Sequence, residues 1–599
     1  MALPRVRDEN RAKKDDDYRS RPAAASSFRP STTWRMPRRR RLLVLAALAI
    51  ALLYLLRNNF AAGRSVYSHG PPPRRPKVAV APEPFPEVEH PPNDSNGRPR
   101  FPELAKSLSR SRLSATGRGV LFAAASLRSV ADLLPLACEK TRHSYEAVHF
   151  AVMGRDSVSI EGIQYVNGIS PDDCPLVWHD ARPEHASTFT NARMAIAMDY
   201  ALWNLLSSLR VEVVIAHGAA LEEDFFLNTI ARSAAKHGVP LISLPARARD
   251  LMWVAHLDGR ALRAWNHFNV EILIHAPSGS SASLTRLLRS LDRADYLGTT
   301  PKLTIELPAR TDPQLLKFIK RLRGGALSPE RITLRRRVPL KRMTPLEATV
   351  RTVEAFYPSD LSHSHVLLLS PQAELSPSFY HFLKYAALKY RDSYRSARSN
   401  NLVGISLDLP TVRPTDDTPF TVPGHESPFF CWQAPNSNAV LYFGDKWAEF
   451  HTFMGDLLES SAATVQQSEK QISTKYPAFM EMLLSFVRAR GYFLLYPSFP
   501  ATQSISMAVV HNDFYQVPEE FLDRPATSDD DTEDRTIGIE PVKMTLYGAS
   551  TLANLLRRLP GQLPSLARLP FLTFDGNTTS SEELLEVSRA LSEEMSNPQ

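Results

Sequence analysis

The chain has 599 residues, 22% of them charged and 43% hydrophobic, with a formal net charge of +8, and that length exceeds what one hydrophobic core usually supports, so two or more folded units are expected. Residues 1–41 hold thirteen Lys and Arg against five Asp and Glu, which accounts for the whole excess. The remainder is neutral by count, which excludes a basic nucleic-acid-binding surface as the reason for the charge, and no nucleic-acid partner is expected.

The basic tail is polar and Arg-rich, the composition of a disordered segment. It runs into Leu42–Leu56 (LLVLAALAIALLYLL), an unbroken apolar stretch between Arg38-Arg39-Arg40-Arg41 and Arg57. A helix of this length reaches only about 22 Å against a bilayer core of about 30 Å. Snorkelling arginines and a thin early-secretory membrane reduce that mismatch. A cleaved signal peptide is the alternative, opposed by the long preceding segment and the lack of an A-x-A site. The expectation is therefore a signal anchor at 42–56, with residues 1–41 cytosolic and the rest lumenal, in a single-pass type II membrane protein of the Golgi or ER. Residues 57–112 are Pro-rich (PPPRRPKVAVAPEPFPEVEHPP) and read as an extended stem. Cys138, Cys174 and Cys431 are too few for a zinc site or a disulfide framework. One bridge would leave one thiol over, and three buried free cysteines is the other reading. Asn93 and Asn577 open glycosylation sequons on the expected lumenal side.

From residue 113 the pattern alternates strands and helices. Strands are expected at 119–124, 147–153, 176–179, 211–217 and 241–244, with helices at 127–138, 190–209 and 221–236. Strands separated by helix-length segments argue for βαβ units, so residues 113–265 read as a Rossmann-like α/β unit. It has no G-x-G-x-x-G, and dinucleotide binding has no motif support.

A second α/β unit is expected over 266–520, with an acidic loop and C-terminal extension over 521–599. It begins with a strand at 270–275. A loop and helix follow, PSGSSASLTRLLRSL, whose small residues Pro277, Ser278, Gly279 and Ser280 place backbone amides near a helix N-terminus, a geometry suited to phosphate. Strands at 302–307, 332–335, 366–369, 402–407, 439–443 and 492–496 and helices at 313–322, 345–356, from 376 and at 476–490 complete it. The polar segment Asp523–Arg535 reads as a surface loop.

The ordered blocks NVEILIHAPSGSSASLTRLLRSLDRADY, PKLTIELP, HSHVLLLSPQAELSP, PFFCWQAPNSNAVLYFGDKWAEF and KYPAFMEMLLSFVRARGYFLLYP resemble a group of fungal type II membrane proteins classed as glycosyltransferase family 2-like. The resemblance spans roughly residues 115–520 and implies a GT-A-type domain that uses a nucleotide-sugar donor. By that resemblance, the 276–281 loop holds the nucleotide and Glu306 contacts the base. Ser370, Gln372 and Glu374 fall where relatives carry Asp-x-Asp-x-Glu, so only the last carboxylate remains.

Three readings of that departure stay open. Mn²⁺ or Mg²⁺ is held by Glu374 with His511 and the diphosphate. Alternatively Arg337, Lys341 or Arg342 neutralises the leaving diphosphate without a metal. Or the site binds without catalysing. Direct displacement needs a carboxylate to deprotonate the acceptor, for which Glu481 is the first candidate and Asp445 the second. Trp432, Gln433, Asn436 and Asn438 could contact a sugar acceptor. The expected function is transfer of a sugar from a nucleotide donor to a glycan or glycoprotein. The alternative is an inactive glycan-binding or scaffold subunit of a glycosyltransferase complex.

Overall fold

The computed structural model describes residues 99–596 apart from internal segments, the longer of which are 395–400, 461–469, 500–504, 512–545 and 547–551. All the described residues fall within one compact unit, residues 95–599. The basic tail, the Leu42–Leu56 run, residues 57–98 of the stem and the Asp523–Arg535 loop lie outside the described residues, and the end of the expected extended stem is instead a helix, Pro102–Ser114, that buries Leu104 and Leu108. The expected placement as a single-pass Golgi or ER membrane protein is corrected on one finding: among the described residues no helix is long and apolar enough to cross a membrane. The physical reason is visible in the 18-residue helix Asn191–Ser208, which carries Asn191, Arg193, Asp199 and Asn204 within its length. Such a helix buries one face only.

The protein is a mixed α/β structure with two largely separate sheets. The first consists of β1 (Gly119–Ala124), β2 (Ala147–Val152), β3 (Val177–Asp180), β4 (Val211–His217) and β5 (Leu241–Leu244). Its order is β3-β2-β1-β4-β5, with every pairing parallel. All six residues of β1 are buried, as a parallel strand covered on both faces requires. Val120 and Phe122 pack on the side of the helix Leu127–His143, while Leu121 and Ala123 pack with Met198, Leu202 and Leu205 of the helix Asn191–Ser208. This is the Rossmann-like arrangement the alternation of elements leads one to expect.

A disulfide joins Cys138, on the Leu127–His143 helix, to Cys174, ahead of β3. Cys431 remains a free thiol in the core, where burial pushes its pKa up. Of the two sequence readings, one bridge with one thiol left over is the one observed.

The second sheet contains β6 (Asn269–His275), β7 (Lys302–Leu307), β8 (Ile332–Arg336), β9 (Ser364–Leu369), β11 (Leu402–Ser406), β12 (Phe429–Trp432), β13 (Ala439–Tyr442), β14 (Phe493–Pro497), β16 (Phe571–Leu572) and β17 (Thr578–Thr579). Strands β10 (Ala373–Leu375) and β15 (Ala508–Val510) form a separate antiparallel ladder. The ten-stranded order is β17-β16-β12-β14-β11-β13-β9-β6-β7-β8. Strands β8, β7, β6 and β9 run parallel, and β13 is inserted antiparallel between β9 and β11. The chain leaves β6 toward β7 and β8 on one side, then returns to β9 on the other. Strands β6 and β9 therefore flank a switch in connection direction, and a crevice opens outside their carboxyl ends.

The two sheets share one apolar core. Leu251, Trp253, Leu257, Leu262 and Trp265, between β5 and β6, belong to the same buried cluster as Phe122 of the first sheet and Ile272 of the second. Trp253 stacks on Trp265 with centroids 5.5 Å apart and meets Tyr385 at 5.3 Å. The strands β10, β12, β15, β16 and β17 were not expected from sequence, and all but β12 have only two or three residues, too few to carry a periodicity.

Local signals set the borders of the elements near the crevice. The helix Pro345–Glu354 opens with a capping box: Glu347 N donates to Thr344 Oγ1 (3.2 Å) and Thr344 N donates to Glu347 Oε2 (2.8 Å). This helix presents Ala348 and Thr352 to the crevice. Thr344→Ala is expected to cost about 1 kcal/mol, measurable as a lowered urea midpoint at unchanged slope. An unchanged midpoint would show that tertiary packing alone fixes the helix start.

Candidate functional site

A cleft of about 800 Å³ lies along the carboxyl edge of the second sheet. Four chain segments converge on it because their strands end at that edge. His275 ends β6 and Pro277 follows it, Leu369 ends β9 and Ser370 to Gln372 follow it, Asp408 follows β11, and Asn436 to Asn438 precede the antiparallel β13. Lys475, Tyr476 and Phe479, at the start of the helix Phe479–Arg490, close one side, and His511 after β15 borders another.

Asp408 is the most constrained ionisable group in this wall. It is 4% exposed, and Asn436 Nδ2 donates to its Oδ1 at 2.7 Å. The Ser406 hydroxyl donates to the Asp408 backbone oxygen at 2.7 Å and lies 3.3 Å from Oδ1. Burial pushes its pKa up to about 6, with the hydrogen bonds from Asn436, Ser406 and Asn438 pulling the other way. Desolvation destabilises the carboxylate, and the donors restore part of what it loses. The result is a carboxyl group poised near neutrality, the property of a general base. Asn438 N donates to Asn436 Oδ1 at 2.8 Å, and Tyr442 OH donates to Asn436 O at 2.5 Å, so the donor set is itself held in place.

The two loops facing each other across the switch are differently built. On the β6 side, Pro277, Ser278 and Gly279 are exposed, and Gly279 has φ of +81°, a conformation glycine adopts without strain. The Ser280 hydroxyl donates to Pro277 O at 2.7 Å and makes no cap bond to the helix Ser281–Asp292. The first amides of that helix are thus not satisfied by its N-cap side chain, the condition for receiving an anion. On the β9 side, Ser370 N donates to Asn438 O (2.7 Å), and Gln372 O accepts from His511 N (3.1 Å) and from Nη2 of the buried Arg286 (3.3 Å). The Ser370–Gln372 loop is therefore anchored through its backbone. Glu306 is buried behind the cleft, with its carboxylate 2.9 Å from His275 Nδ1.

The β10–β15 ladder brings together Glu374 and His511, 137 positions apart in the chain, with Oε2 2.9 Å from the ring Nε2. The other oxygen accepts from Leu546 N at 2.7 Å, and the Glu374 side chain is fully buried. A divalent cation needs several open oxygen ligands. Each Glu374 oxygen accepts one hydrogen bond, and among the described residues no third His, Cys, Asp or Glu joins Glu374 and His511 as a metal-ligating group. Elsewhere, Glu139, His143 and His256 place one ligand-type atom each within 4.8 Å of one another. They sit against the first sheet, and Arg142 occupies the other oxygen of Glu139 at 3.3 Å.

The remaining residues singled out from the sequence are placed as follows. Arg337 and Arg342 lie outside the described residues. Lys341 is paired with Glu347 at 3.1 Å. Gln433, Asn436 and Trp432 are buried, and Trp432 stacks on Phe420 at 4.4 Å, so its ring is spent on the core. Asp445 pairs with Arg391 at 2.5 Å. It follows the antiparallel β13, at the sheet edge opposite the cleft, where Gly444 abuts the carbonyl of Ser364 at the start of β9. Glu481 accepts from Gln471 N (3.0 Å) and Ile472 N (2.7 Å), holding the chain ahead of its own helix. Sequence reading passed over Asp408, although the strand expected at 402–407 ends one residue before it, and it passed over Tyr476 and His275.

Residues 103–265 match the family model described as the SPBC1E8.03c N-terminal domain, and residues 284–461 match the one described as the SPBC1E8.03c C-terminal domain. No curated protein matches the chain. Among solved structures the chain is similar to the mannosyltransferase PcManGT from Pyrobaculum calidifontis in complex with GDP-Man and Mn²⁺, at 13% identity over 45% of this chain and 65% of that one, with a TM-score of 0.23. It is also similar to UDP-GlcNAc 2-epimerase from Neisseria meningitidis bound to UDP-GlcNAc (12% identity, 42% and 77% covered, TM-score 0.17) and to S. aureus MnaA with UDP (10%, 37% and 69%, 0.16). Likeness of this extent carries no argument about activity.

Proposed function

We propose that the chain is a glycosyltransferase that moves a sugar from a nucleotide-sugar donor to a hydroxyl of a glycan or glycoprotein acceptor, using the cleft at the carboxyl edge of the second sheet. The observation that carries the reading is Asp408, a buried carboxyl group poised near neutrality in the wall of a switch-point cleft that also takes in Pro277, at the head of a loop leading to a helix start with no side-chain cap. The resemblance of the ordered sequence blocks to glycosyltransferase family 2-like proteins supports the same reading, including its GT-A-type architecture.

In this mechanism Asp408 takes the acceptor hydroxyl proton as the acceptor oxygen bonds to the anomeric carbon. The bond from that carbon to the donor diphosphate breaks, and the diphosphate leaves toward the amides of the 277–281 loop and the helix that follows. His275 borders the nucleotide end with Glu306 behind it, and Tyr476 offers the acceptor an aromatic wall. Glu374 and His511 hold the β10–β15 ladder, and with it the Gln372 loop, in register. No step is assigned to a metal, because among the described residues no third ligand joins Glu374 and His511.

A second reading, a subunit that binds sugars without catalysis, is favoured by Ser370 and Gln372 standing where relatives carry carboxylates. The full chain, screened against UDP- and GDP-sugars with an oligosaccharide acceptor, with and without Mn²⁺, separates the two. Turnover of at least one donor is the expected result. Binding without turnover would select the second reading, and absence of both would overturn the two together.

A further inference from the structure

The first sheet has its own switch point, between β1 and β4, and its ligand-binding potential is unlike that of a dinucleotide fold. In such folds a phosphate takes the amides at the turn after the first strand. Here those amides are taken by the chain itself: Ala125 N and Ser126 N donate to the carboxylate of Glu222 at 3.1 Å each. The usual phosphate position is filled by an internal acid. The same acid removes the need for a glycine fingerprint, which the sequence lacks.

Immediately beside this plug is a cleft of about 600 Å³, lined by Arg128 from the first turn of the helix Leu127–His143, His217 from the end of β4, and Arg247 and Arg249 from the segment after β5. All three arginines are exposed. None has a hydrogen bond or ion pair among the described residues, whereas Arg155, Arg182 and Arg391 are each paired with an acid at 3.2 Å or less. Three like charges from separate segments gathered on one cavity repel one another and gain most from a shared multivalent anion.

The acid in the lining, Asp132, is paired with His217 and makes no ion pair with any of the three arginines. Its Oδ2 is engaged by His217 Nε2 at 3.1 Å and by Ala248 N at 2.8 Å. Those two bonds tie helix, strand and loop together. They fix Ala248, and therefore the backbone of Arg247 and Arg249 on either side of it, at the cavity that Arg128 also lines. The cavity is thus shaped by a buried bridge and rimmed by uncommitted guanidinium groups, whose planar forks match phosphate oxygens.

We propose that this cleft binds a phosphorylated small molecule, with Arg128, Arg247 and Arg249 as its anion clamp. The site is separate from the cleft of the second sheet and does not rest on the glycosyltransferase reading. The chemistry favours a diphosphate over a single phosphate, because three guanidinium groups exceed the oxygens one phosphate can offer without crowding.

The test is calorimetric titration of the full chain with inorganic pyrophosphate, phosphate and sulfate at matched ionic strength. Pyrophosphate is expected to bind more tightly than sulfate. The variant Arg128→Ala/Arg247→Ala/Arg249→Ala is expected to bind it at least about a hundredfold more weakly, given the usual strength of charge-assisted hydrogen bonds. Because the three side chains are exposed and unpaired, the thermal midpoint of the ligand-free variant should match the parent, which separates loss of binding from loss of fold. Triple Arg→Lys should recover part of the affinity. The proposal is overturned if pyrophosphate does not bind at millimolar concentration, if sulfate binds equally well, or if the alanine variant binds like the parent, which would move the anion to the other cleft.

Discussion

Asp408→Asn is expected to lower sugar transfer by about 10²- to 10⁴-fold, the usual contribution of a positioned general base, while leaving the protein folded. Asparagine keeps the shape of the side chain and an oxygen for Asn436 Nδ2, so the cluster with Ser406 and Asn438 survives. Only the proton acceptor is lost. The same substitution carries a stability signature of the raised pKa. The carboxyl pKa in the folded protein is raised to about 6, above its unfolded value near 3.9. Stability contributed by the protonated group is therefore full below about pH 4 and is lost as pH rises through about 6.

At pH 7.5 the buried carboxylate is a liability of roughly 1–3 kcal/mol, so Asp408→Asn should raise the thermal midpoint there and leave it unchanged at pH 4. Parent kcat/KM should fall on an acid limb near pH 6, since transfer needs the ionised form. Asn436→Ala removes a donor that lowers the pKa, so the limb should move to higher pH. A variant that transfers sugar within about tenfold of the parent would place the base elsewhere. Glu481 would be the next to examine, although its carboxylate is turned to two backbone amides.

The second large effect concerns the bridge between Cys138 and Cys174. The two cysteines are 36 positions apart, and closing a loop of that size in the unfolded chain is worth about 4 kcal/mol in the chain-entropy account. Cys138→Ser/Cys174→Ser should lower the unfolding free energy by about that amount, read as a lower urea midpoint. A reductant should shift the parent's midpoint by the same amount and leave the variant's unchanged. Reduction without any shift would mean that the unfolded chain is already constrained around this loop. The loop spans β2 and leads into β3, and the two sheets share one apolar core around Trp253 and Trp265. The loss is therefore expected to appear in the global transition and not as an early separate one.

Much of the scaffold was legible in the chain because its signals are local. Runs such as Gly119–Ala124 and Val366–Leu369, apolar throughout, announce strands buried on both faces. The expected strands at 119–124, 211–217, 241–244 and 302–307 coincide with β1, β4, β5 and β7. The polar loops after β6 and β9 were visible for the same reason, since small and polar residues after an apolar run mark the end of a strand. Those loops do border the cleft.

The chemistry was less legible, and in a consistent way. Asp445 and Glu481 attract notice as acids near helix starts, but the fold turns one to Arg391 and the other to the amides of Gln471 and Ile472. Trp432 and Gln433 look like sugar-binding residues, yet both are buried. Asp408 is an ordinary Asp in ISLDLP until Asn436 and Asn438, about thirty positions away, close over it. Likewise Arg128, Arg247 and Arg249 are unremarkable until β1, β4 and β5 align side by side.

The sequence by itself determined the alternation of strands and helices and the polar loops at strand ends, because periodicity and turn chemistry act over a few residues. Only the tertiary structure decided which carboxyl group is desolvated beside a cleft, which cysteines bridge and which arginines lack partners. Burial, pKa and pairing depend on neighbours brought from tens to hundreds of positions away, and local sequence does not encode who those neighbours are.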